Sequence, residues 1–182
     1  MSKILILGNG GSGKSTFARK LAQKTGLPLI HLDAEYWRPG WDPTPKDEWK
    51  NRVAQLLEGE RWIMDGNFSS TLEMRLKAAD TVILFDRNHW LCAWGVLQRV
   101  RKNRGITRPD MGPDCPERFD ADFLRWVLNF PKKVRPRQLE QIRQHGAHCT
   151  VYRLKSRRQA QKLLDQWQDN HKGEPNDSVS TI

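Results

Sequence analysis

Five short runs along the chain have the pattern of strands, and the first of them, residues 3–7, is a continuous apolar run typical of a strand that is buried on both faces. The five runs are residues 3–7, 29–32, 61–64, 81–85 and 149–154. The stretches between them instead repeat apolar residues at helical spacing, as Phe17, Ala18 and Leu21 do after Lys14. This alternation predicts an α/β protein in which helices cover both faces of a five-stranded parallel sheet, a three-layer α/β/α arrangement.

Helical spacing also predicts positions for several tryptophans within helices. Further helices are predicted over residues 44–57, 71–76, 86–101, 122–130, 137–145 and 156–168. Trp90, Trp94 and Trp126 lie among apolar residues of two of these helices, and we expect them in the core. Residues 103–118 are instead rich in glycine and proline and too long for a plain connection, which is typical of a lid or a binding loop.

The chain is predicted to form one domain, residues 1–169, with a lid region over about 99–135. Its 182 residues suit a single sizeable core, and the polar end, residues 170–182, is expected to be disordered. No apolar run is long enough to cross a bilayer. The three cysteines lie far apart without disulfide or metal spacing, so we expect a reducing, cytoplasmic location.

Positive charge is concentrated in the second half of the chain. Residues 87–163 hold 18 Lys and Arg against 6 Asp and Glu, whereas residues 1–86 hold 12 against 11. The formal net charge of the whole chain is +10. Such a surface attracts polyanions, and it does not separate a nucleic-acid partner from a phosphorylated small molecule.

The segment after the first strand carries the most specific motif. Residues 8–16 fit the pattern G-x-x-x-x-G-K-[ST] between a predicted strand and a predicted helix. Its glycines let backbone N–H groups surround a phosphate, and the start of the helix adds partial positive charge. The pattern therefore predicts a phosphate-binding loop for a nucleoside triphosphate. The predicted nucleotide-binding residues are Gly8, Gly10, Gly11, Ser12, Gly13, Lys14, Ser15 and Thr16.

Polar side chains at the ends of strands receive candidate roles in phosphoryl transfer. Lys14 is expected to reach the β- and γ-phosphates of ATP, and Ser15 to ligate Mg²⁺. Asp65 is the candidate carboxylate that orients the metal, with a turn cap as its alternative. Asp33 is the candidate base toward an acceptor hydroxyl, or else a cap of the turn that follows it. Asp86 lies further from the nucleotide and is expected to act as a cap.

Arginines bracket the predicted lid. The set is Arg99, Arg101, Arg104, Arg108 and Arg118. Guanidinium groups clamp phosphate oxygens, and a lid that closes excludes water from the transferring group. Arg108 and Arg118 lie in the loop itself and are the candidate catalytic arginines, with a solvated basic face as the alternative. Arg75 has two interpretations, a contact with the acceptor's phosphate or a side chain that snorkels to solvent.

Several motifs resemble known families. The spacing Gly8-x-x-Gly11-x-Gly13-Lys14-Ser15-Thr16 is similar to that of adenylate kinases, and residues 62–68 and 79–83 resemble two strand segments of those enzymes. Over nearly its whole length the chain resembles the bacterial family labelled DNA topology modulation protein. The segments that carry this resemblance are residues 30–33, 37–41, 65–67, 107–111 and 115–118. The first resemblance implies a P-loop kinase-like fold with an arginine-rich lid, and the second implies a regulatory role in DNA supercoiling.

Two segments differ from adenylate kinases. Those enzymes follow Asp-Gly with Phe-Pro-Arg, whose arginine holds the acceptor's phosphate, but residues 67–70 read Asn-Phe-Ser-Ser here. Their Ser/Thr-Gly-Asp acceptor segment is replaced by residues 33–37, which argues against AMP as the acceptor. An aspartate at position 33 beside aromatic residues resembles uridine kinases instead, in which it serves as base toward a sugar hydroxyl.

Two functions follow from these motifs. The first is a small-molecule kinase that uses ATP and Mg²⁺ to phosphorylate a nucleoside-, nucleotide- or sugar-like acceptor. The alternative is a nucleotide-gated regulatory ATPase that binds nucleic acid through its basic second half. No helix-turn-helix, zinc-finger or RNA-binding motif is evident in the sequence, which favours the kinase.

Overall fold

The computed structural model describes residues 2–171, which contain the predicted elements with small shifts of their ends. The strands are β1 (Lys3–Gly8), β2 (Leu29–His31), β3 (Trp37–Arg38), β4 (Asp42–Pro43), β5 (Trp62–Asp65), β6 (Thr81–Phe85) and β7 (Thr150–Leu154). The helices are α1 (Lys14–Thr25), α2 (Leu32–Tyr36), α3 (Lys46–Leu57), α4 (Leu72–Ala78), α5 (His89–Asn103), α6 (Ala121–Lys133), α7 (Arg135–His145) and α8 (Arg157–His171). Of the tail that was predicted to be disordered, residues 172–182 lie outside the described residues.

A five-stranded parallel sheet confirms the predicted fold class. Its strand order is β2-β5-β1-β6-β7, and β3 and β4 pair separately as a short antiparallel hairpin. Along β1, Ile4 and Ile6 face one side of the sheet while Leu5 and Leu7 face the other, because successive side chains of a strand alternate. Both faces are covered by helices, and this explains why the central strands β1 and β6 are almost entirely apolar and buried.

Helices form one layer on each face of the sheet. On one face, α1 and α8 contribute residues such as Phe17 and Leu164. On the other face, α3, α4 and α7 contribute residues such as Trp49 and Ile142. Full burial of one such side chain stabilises the fold by about 2 kcal/mol. A third, smaller cluster lies between α5 and α6, and Trp126 is only partly buried there, so its predicted core position is partly correct.

The prediction that two tryptophans of α5 belong to the core is wrong. Trp90 and Trp94 are 65% and 61% exposed, whereas the small side chain of Cys92 is buried. The physical reason is the close approach of α5 to the phosphate loop. A Cβ on Gly95 would lie 2.5 Å from the carbonyl oxygen of Gly11. Only small residues fit on the inward face of α5, so its large aromatic residues lie on the outward face.

Two further expectations concern the environment of the chain. Within residues 2–171, no helix is long and apolar enough to cross a membrane. The three cysteines are free thiols, and burial raises the pKa of Cys92 and Cys149 above the ordinary value. A raised pKa keeps these thiols protonated near neutral pH and lowers their reactivity.

Candidate active site

The phosphate loop follows β1 directly and leads into α1. Gly8, Gly11 and Gly13 have positive φ angles of 136°, 70° and 96°, a region in which other residues are strained. Space is limiting as well. A Cβ on Gly8 would lie 2.4 Å from the carbonyl oxygen of Phe85, and one on Gly11 would lie 2.2 Å from that of Cys92. Glycine is therefore required by conformation at all three positions and by packing as well at Gly8 and Gly11, whereas the space around Gly13 is open.

The side chains of the loop leave groups available for a phosphate. No side chain caps the N-terminus of α1 after Gly13, so its first backbone N–H groups are available to an anion. Ser12 is buried, and its hydroxyl has no hydrogen-bond partner among residues 2–171. The ammonium group of Lys14 donates to the carbonyl oxygen of Asn9 at 3.0 Å, which keeps it folded over the loop. These groups together fit the phosphates of a nucleotide.

Helix α6 packs against the same loop. A Cβ on Gly10 would lie 2.7 Å from Cζ of Phe123, and Asn9 Nδ2 donates to the carbonyl oxygen of Val127 at 2.8 Å. Thr16 is exposed in the first turn of α1, and its predicted contact with the nucleotide stays a prediction. The lid region that was predicted from the sequence therefore contacts the phosphate loop through α6.

Asp65 ends β5 beside the phosphate loop. Its Oδ2 lies 3.1 Å from Nδ1 of His31, and its Oδ1 is buried without a hydrogen-bond partner in the described part of the chain. Burial opposes ionisation of Asp65. Interactions with His31, Lys14 and Ser15 outweigh this effect and hold the pKa of the carboxyl below its ordinary value. The carboxylate is therefore charged at neutral pH, and one of its oxygens remains available to a ligand.

These oxygen atoms fit a magnesium ion. In nucleotide sites Mg²⁺ is held by one or two protein oxygens together with phosphate oxygens and water. The hydroxyl of Ser15 and the unpaired Oδ1 of Asp65 are two such atoms on adjacent elements. Within residues 2–171, no group of three His, Cys, Asp or Glu side chains could hold a metal by itself. The ion would therefore depend on the phosphates of the nucleotide.

Asp33 lies in the first turn of α2, directly after β2, and is half-buried. His31 occupies the cap position of this helix, so the structure does not support a capping role for Asp33. Burial and the negative charge of Asp65 raise the pKa of Asp33 to about 6, while Lys14 and Arg108 act in the opposite direction. A carboxyl group with this pKa exchanges a proton near neutral pH, as a general base must.

Arg108 lies in a buried ion-pair cluster rather than extending freely from the lid. Its guanidinium group contacts the carboxylates of Asp110 and Glu117, each at 2.6 Å. Glu117 also contacts Arg99 at 3.1 Å. We name these four residues the lid cluster. Because Arg108 lowers the pKa of Asp33, the cluster is close to the candidate base.

The loop between α5 and α6 is folded onto the segment between α2 and α3. The backbone N–H of Gly40 donates to the carbonyl oxygen of Asp114 at 3.0 Å, and Trp41 Nε1 donates to that of Pro116 at 3.2 Å. Arg118 is exposed and lies over the ring of Trp41, with 5.5 Å between its guanidinium carbon and the ring centroid. The predicted lid and the predicted acceptor segment therefore form one unit.

The structure brings some of the predicted catalytic residues together and leaves one apart. Lys14, Asp65 and Arg108 all act on the pKa of Asp33, which places the four residues in one site. Arg118 contacts Trp41 instead, and its catalytic role stays a prediction. The sequence motifs pointed to each residue separately, and their electrostatic interaction emerges from the fold.

The predicted capping role of Asp86 is wrong. The side chain of Asn88 caps α5 by accepting a hydrogen bond from the backbone of Trp90. Asp86 instead accepts hydrogen bonds from Arg153 Nε at 2.8 Å and from Arg135 at 3.2 Å. These ion pairs hold the pKa of Asp86 low against the opposing effect of burial. They tie the end of β6 to β7 and α7.

Asn67 makes a contact that the sequence pattern did not predict. Its Oδ1 accepts from the backbone N–H of Gly8 at 3.0 Å, and its Nδ2 donates to the carbonyl oxygen of Gly8 at 2.8 Å. Gln138 on α7 donates to the same Oδ1 at 3.1 Å. Asn67 therefore holds both backbone groups of the first residue of the phosphate loop. The position of Asn67 directly after Asp65 and Gly66 is the sequence signal that could have indicated this role.

The position of Arg75 agrees with neither interpretation left open by the sequence, because the side chain does not reach solvent and its guanidinium group is bonded to the backbone. Arg75 is fully buried and donates to the carbonyl oxygens of Gly66 at 3.0 Å, Phe68 at 2.8 Å and Thr71 at 3.3 Å, and it also contacts that of Asn67. Burial lowers its pKa to about 9. Arg75 is thus a structural residue that holds the turn after β5.

The fold and the site together define a P-loop protein with the kinase-like α/β/α fold. A shikimate kinase from Acinetobacter baumannii, solved in complex with shikimate, has a similar fold with a TM-score of 0.56. The two proteins share 18% sequence identity, and the similarity covers 93% of this chain and 94% of that one. At this identity the likeness shows the fold alone. No family model matches the chain.

Sequence similarity connects the chain with adenylate kinases. It is 30% identical over 132 residues to a Pyrococcus furiosus protein named "Putative adenylate kinase". The match covers 69% of this chain and 66% of the relative, so the chain spans just under two thirds of the relative's length. The similarity agrees with the adenylate-kinase resemblance of the phosphate loop. Neither of the two similar proteins is named for a role in DNA topology.

Proposed function

We propose that the protein is an ATP- and Mg²⁺-dependent phosphotransferase that phosphorylates a hydroxyl group of a small nucleoside-, nucleotide- or sugar-like acceptor. The observation that carries this proposal is the position of Asp33. Its carboxyl group, with a pKa of about 6, shares one site with Lys14 of the phosphate loop and with Asp65. A proton acceptor beside a phosphate loop is the arrangement that phosphoryl transfer to a hydroxyl requires.

The free thiols agree with a cytoplasmic location.

Each residue of the site has a role in this reaction. The backbone of the phosphate loop and Lys14 bind the β- and γ-phosphates. Ser15 and Asp65 would hold Mg²⁺, and the ion would supply neutralisation of charge on the transferring group. Asp33 orients the acceptor hydroxyl and takes its proton. The hydroxyl oxygen forms a bond to the γ-phosphorus, the bond to the β–γ bridging oxygen breaks, and ADP leaves. Arg108 is paired with Asp110 and Glu117, and its action on the transferring phosphate stays a prediction.

The test follows labelled γ-phosphate from ATP to a panel of nucleosides, sugars and phosphorylated metabolites. We expect transfer to one class of acceptor. Asp33→Asn should lower kcat by about 10²- to 10⁴-fold, because a positioned base contributes that much. The affinity for ATP should stay unchanged, because Asp33 is assigned to the acceptor. Asp122→Asn, which alters an exposed ion pair with Arg125 on α6, is the matched control. Full acceptor-dependent turnover in Asp33→Asn would contradict the assignment.

A second candidate is a nucleotide-gated ATPase that binds nucleic acid. The observation in its favour is the pair of exposed tryptophans on α5, Trp90 and Trp94, in the basic half of the chain. Exposed aromatic rings beside positive charge stack on the bases of single strands. This candidate leaves the position of Asp33 without a role, so we rank it second. Slow ATP hydrolysis without any acceptor, stimulated by DNA at physiological salt, would favour it.

A further inference from the structure

We propose that His31 is a positioning residue of the site, which orients the carboxylate of Asp65 so that one of its oxygens is presented to Mg²⁺. The inference rests on the proposed kinase function and adds to it a residue that holds the metal ligand rather than the metal. It comes from the pairing of two neighbouring strands and from a buried carboxylate oxygen that has no hydrogen-bond partner in the described part of the chain.

The sheet places the two side chains next to each other. β2 and β5 are parallel neighbours, and His31 at the end of β2 is in register with Asp65 at the end of β5. Nδ1 of His31 lies 3.1 Å from Oδ2 of Asp65. The two side chains are 12% and 5% exposed, so little water competes for this contact. The contact is therefore built into the strand pairing at the carboxyl edge of the sheet.

The direction of this hydrogen bond follows from the charge of Asp65. An ionised carboxylate only accepts hydrogen bonds, and Asp65 is charged at neutral pH, as described above. Nδ1 of His31 therefore carries a hydrogen and donates it to Oδ2. The neutral ring with its hydrogen on Nδ1 and the charged ring both provide this donor. The proposed role needs the N–H alone and no change of protonation.

The hydrogen bond determines which carboxylate oxygen is available. Oδ1 of Asp65 is buried and has no hydrogen-bond partner among residues 2–171. A buried polar atom of this kind is rare, and a bound ion is one of its ordinary explanations. Because His31 engages Oδ2, the carboxylate cannot exchange its two oxygens freely, and Oδ1 keeps its direction. Hydrogen bonds from neighbouring side chains orient metal ligands in proteins in this way.

The ring of His31 does not serve the helix that it precedes. His31 occupies the cap position of α2, but its side chain makes no capping hydrogen bond there. A purely structural contact would require only a side chain that fills the same space. Orientation of the carboxylate requires an N–H at the position of Nδ1. The two roles therefore predict different results for the same variants.

Metal binding to the nucleotide complex tests the inference. Mn²⁺ is titrated into the protein with the non-hydrolysable ATP analogue AMP-PNP, and free Mn²⁺ is followed by electron paramagnetic resonance. His31→Leu should raise the Kd for Mn²⁺ by about tenfold, the size expected when a hydrogen bond to a metal ligand is lost. The affinity for AMP-PNP in EDTA should stay unchanged, because His31 lies outside the phosphate loop. His31→Asn, whose amide offers an N–H near the position of Nδ1, should bind Mn²⁺ more tightly than His31→Leu.

His148→Leu is the matched control. The ring of His148 contacts the carbonyl oxygen of Ala79 at 3.0 Å, before β6 begins and thus at the opposite edge of the sheet, so this variant should keep the Kd of the wild type. An unchanged Kd in folded His31→Leu, with or without a loss of stability, would overturn the inference but leave the kinase function intact. Equal losses in His31→Leu and His31→Asn would overturn it as well. If the wild-type complex bound no Mn²⁺, the metal-dependent function would fail together with the inference.

A measurement on the wild-type protein covers the case in which His31→Leu does not fold. Long-range ¹H–¹⁵N NMR spectra show which ring nitrogen of a histidine carries a hydrogen. We expect a hydrogen on Nδ1 of His31 at neutral pH, both in the protein alone and in its complex with AMP-PNP and Mg²⁺. An Nδ1 without hydrogen would overturn the inference, because it could not donate to Asp65.

Discussion

Replacing Asp33 by asparagine should stabilise the folded protein above about pH 6 although it impairs turnover. In the folded state burial and Asp65 raise the pKa of Asp33 from 3.8 to about 6. Between these two values the unfolded chain has lost a proton that the folded protein still holds. The free energy of unfolding of the wild type therefore falls as the pH rises through this window, and this contribution is constant above it. Asparagine has no proton to lose and avoids this destabilisation.

The size of the effect follows from the pKa shift. A shift from 3.8 to about 6 corresponds to a ceiling of about 3 kcal/mol at about 1.4 kcal/mol per pH unit. Asp33 is half-buried, so solvent screening reduces this value to about 1–2 kcal/mol. The free energy of unfolding of Asp33→Asn minus that of the wild type should therefore be larger by this amount above about pH 6 than at about pH 4.

Urea unfolding followed by tryptophan fluorescence measures the difference. Wild type, Asp33→Asn and the control Asp122→Asn are compared at about pH 4 and about pH 7.5. The gain should appear for Asp33→Asn at the higher pH, and Asp122→Asn, at an exposed position, is the control for replacement of a surface carboxylate. An equal stability difference between Asp33→Asn and the wild type at both pH values would refute the raised pKa. The argument that Asp33 is poised as a base near neutral pH would fail with it.

The remaining predictions concern turnover, metal and stability. The kcat/KM of the wild type should fall as the pH drops through about 6, because kcat/KM reports the free enzyme, in which protonated Asp33 cannot accept a proton; a flat profile between pH 5 and 8 would contradict the role of this base. Lys14→Met should lower kcat by about 10²-fold or more with the circular dichroism spectrum unchanged, because it removes charge from the γ-phosphate. Asp65→Asn should raise the Mg²⁺ concentration needed for half-maximal turnover by about tenfold, and removal of Mg²⁺ with EDTA should abolish turnover. Arg75→Met should lower the free energy of unfolding by about 3 kcal/mol, because several buried carbonyl oxygens lose their donor. Lys77→Met on the same helix, where the lysine is exposed, should change that free energy by less than about 0.5 kcal/mol in the same urea titration.

Local patterns were sufficient for the sheet because burial on both faces leaves a direct signature in the sequence. In the strand of residues 81–85 every position after Thr81 is apolar, and the bounds of the strand agree between prediction and structure. The α5 helix shows where this reasoning fails. Its apolar residues repeat at helical spacing, but the spacing does not say which face is inside. The close approach of Gly95 to Gly11 selects the face with small residues, and only the packed structure contains that contact.

The candidate site divides in the same way. The phosphate loop was predictable because its requirements are local: glycines such as Gly8 adopt backbone angles that other residues avoid, and they precede a helix N-terminus. The pairing of charges was not predictable, because periodicity carries no distances between residues far apart in the chain. Arg108 was expected to bind phosphate, whereas the fold places it against Asp110 and Glu117 near Asp33.

The sequence by itself thus determined the order of strands and helices, the phosphate loop and the aspartates at the carboxyl ends of the strands. Only the tertiary structure decided that Asn67 holds Gly8, that Arg75 is buried under backbone carbonyls, and that Asp33 has a raised pKa. The physical reason is the separation along the chain over which each effect acts. Backbone conformation and burial patterns act between neighbours in the chain, whereas pKa values, ion pairs and desolvation depend on which distant segments pack together.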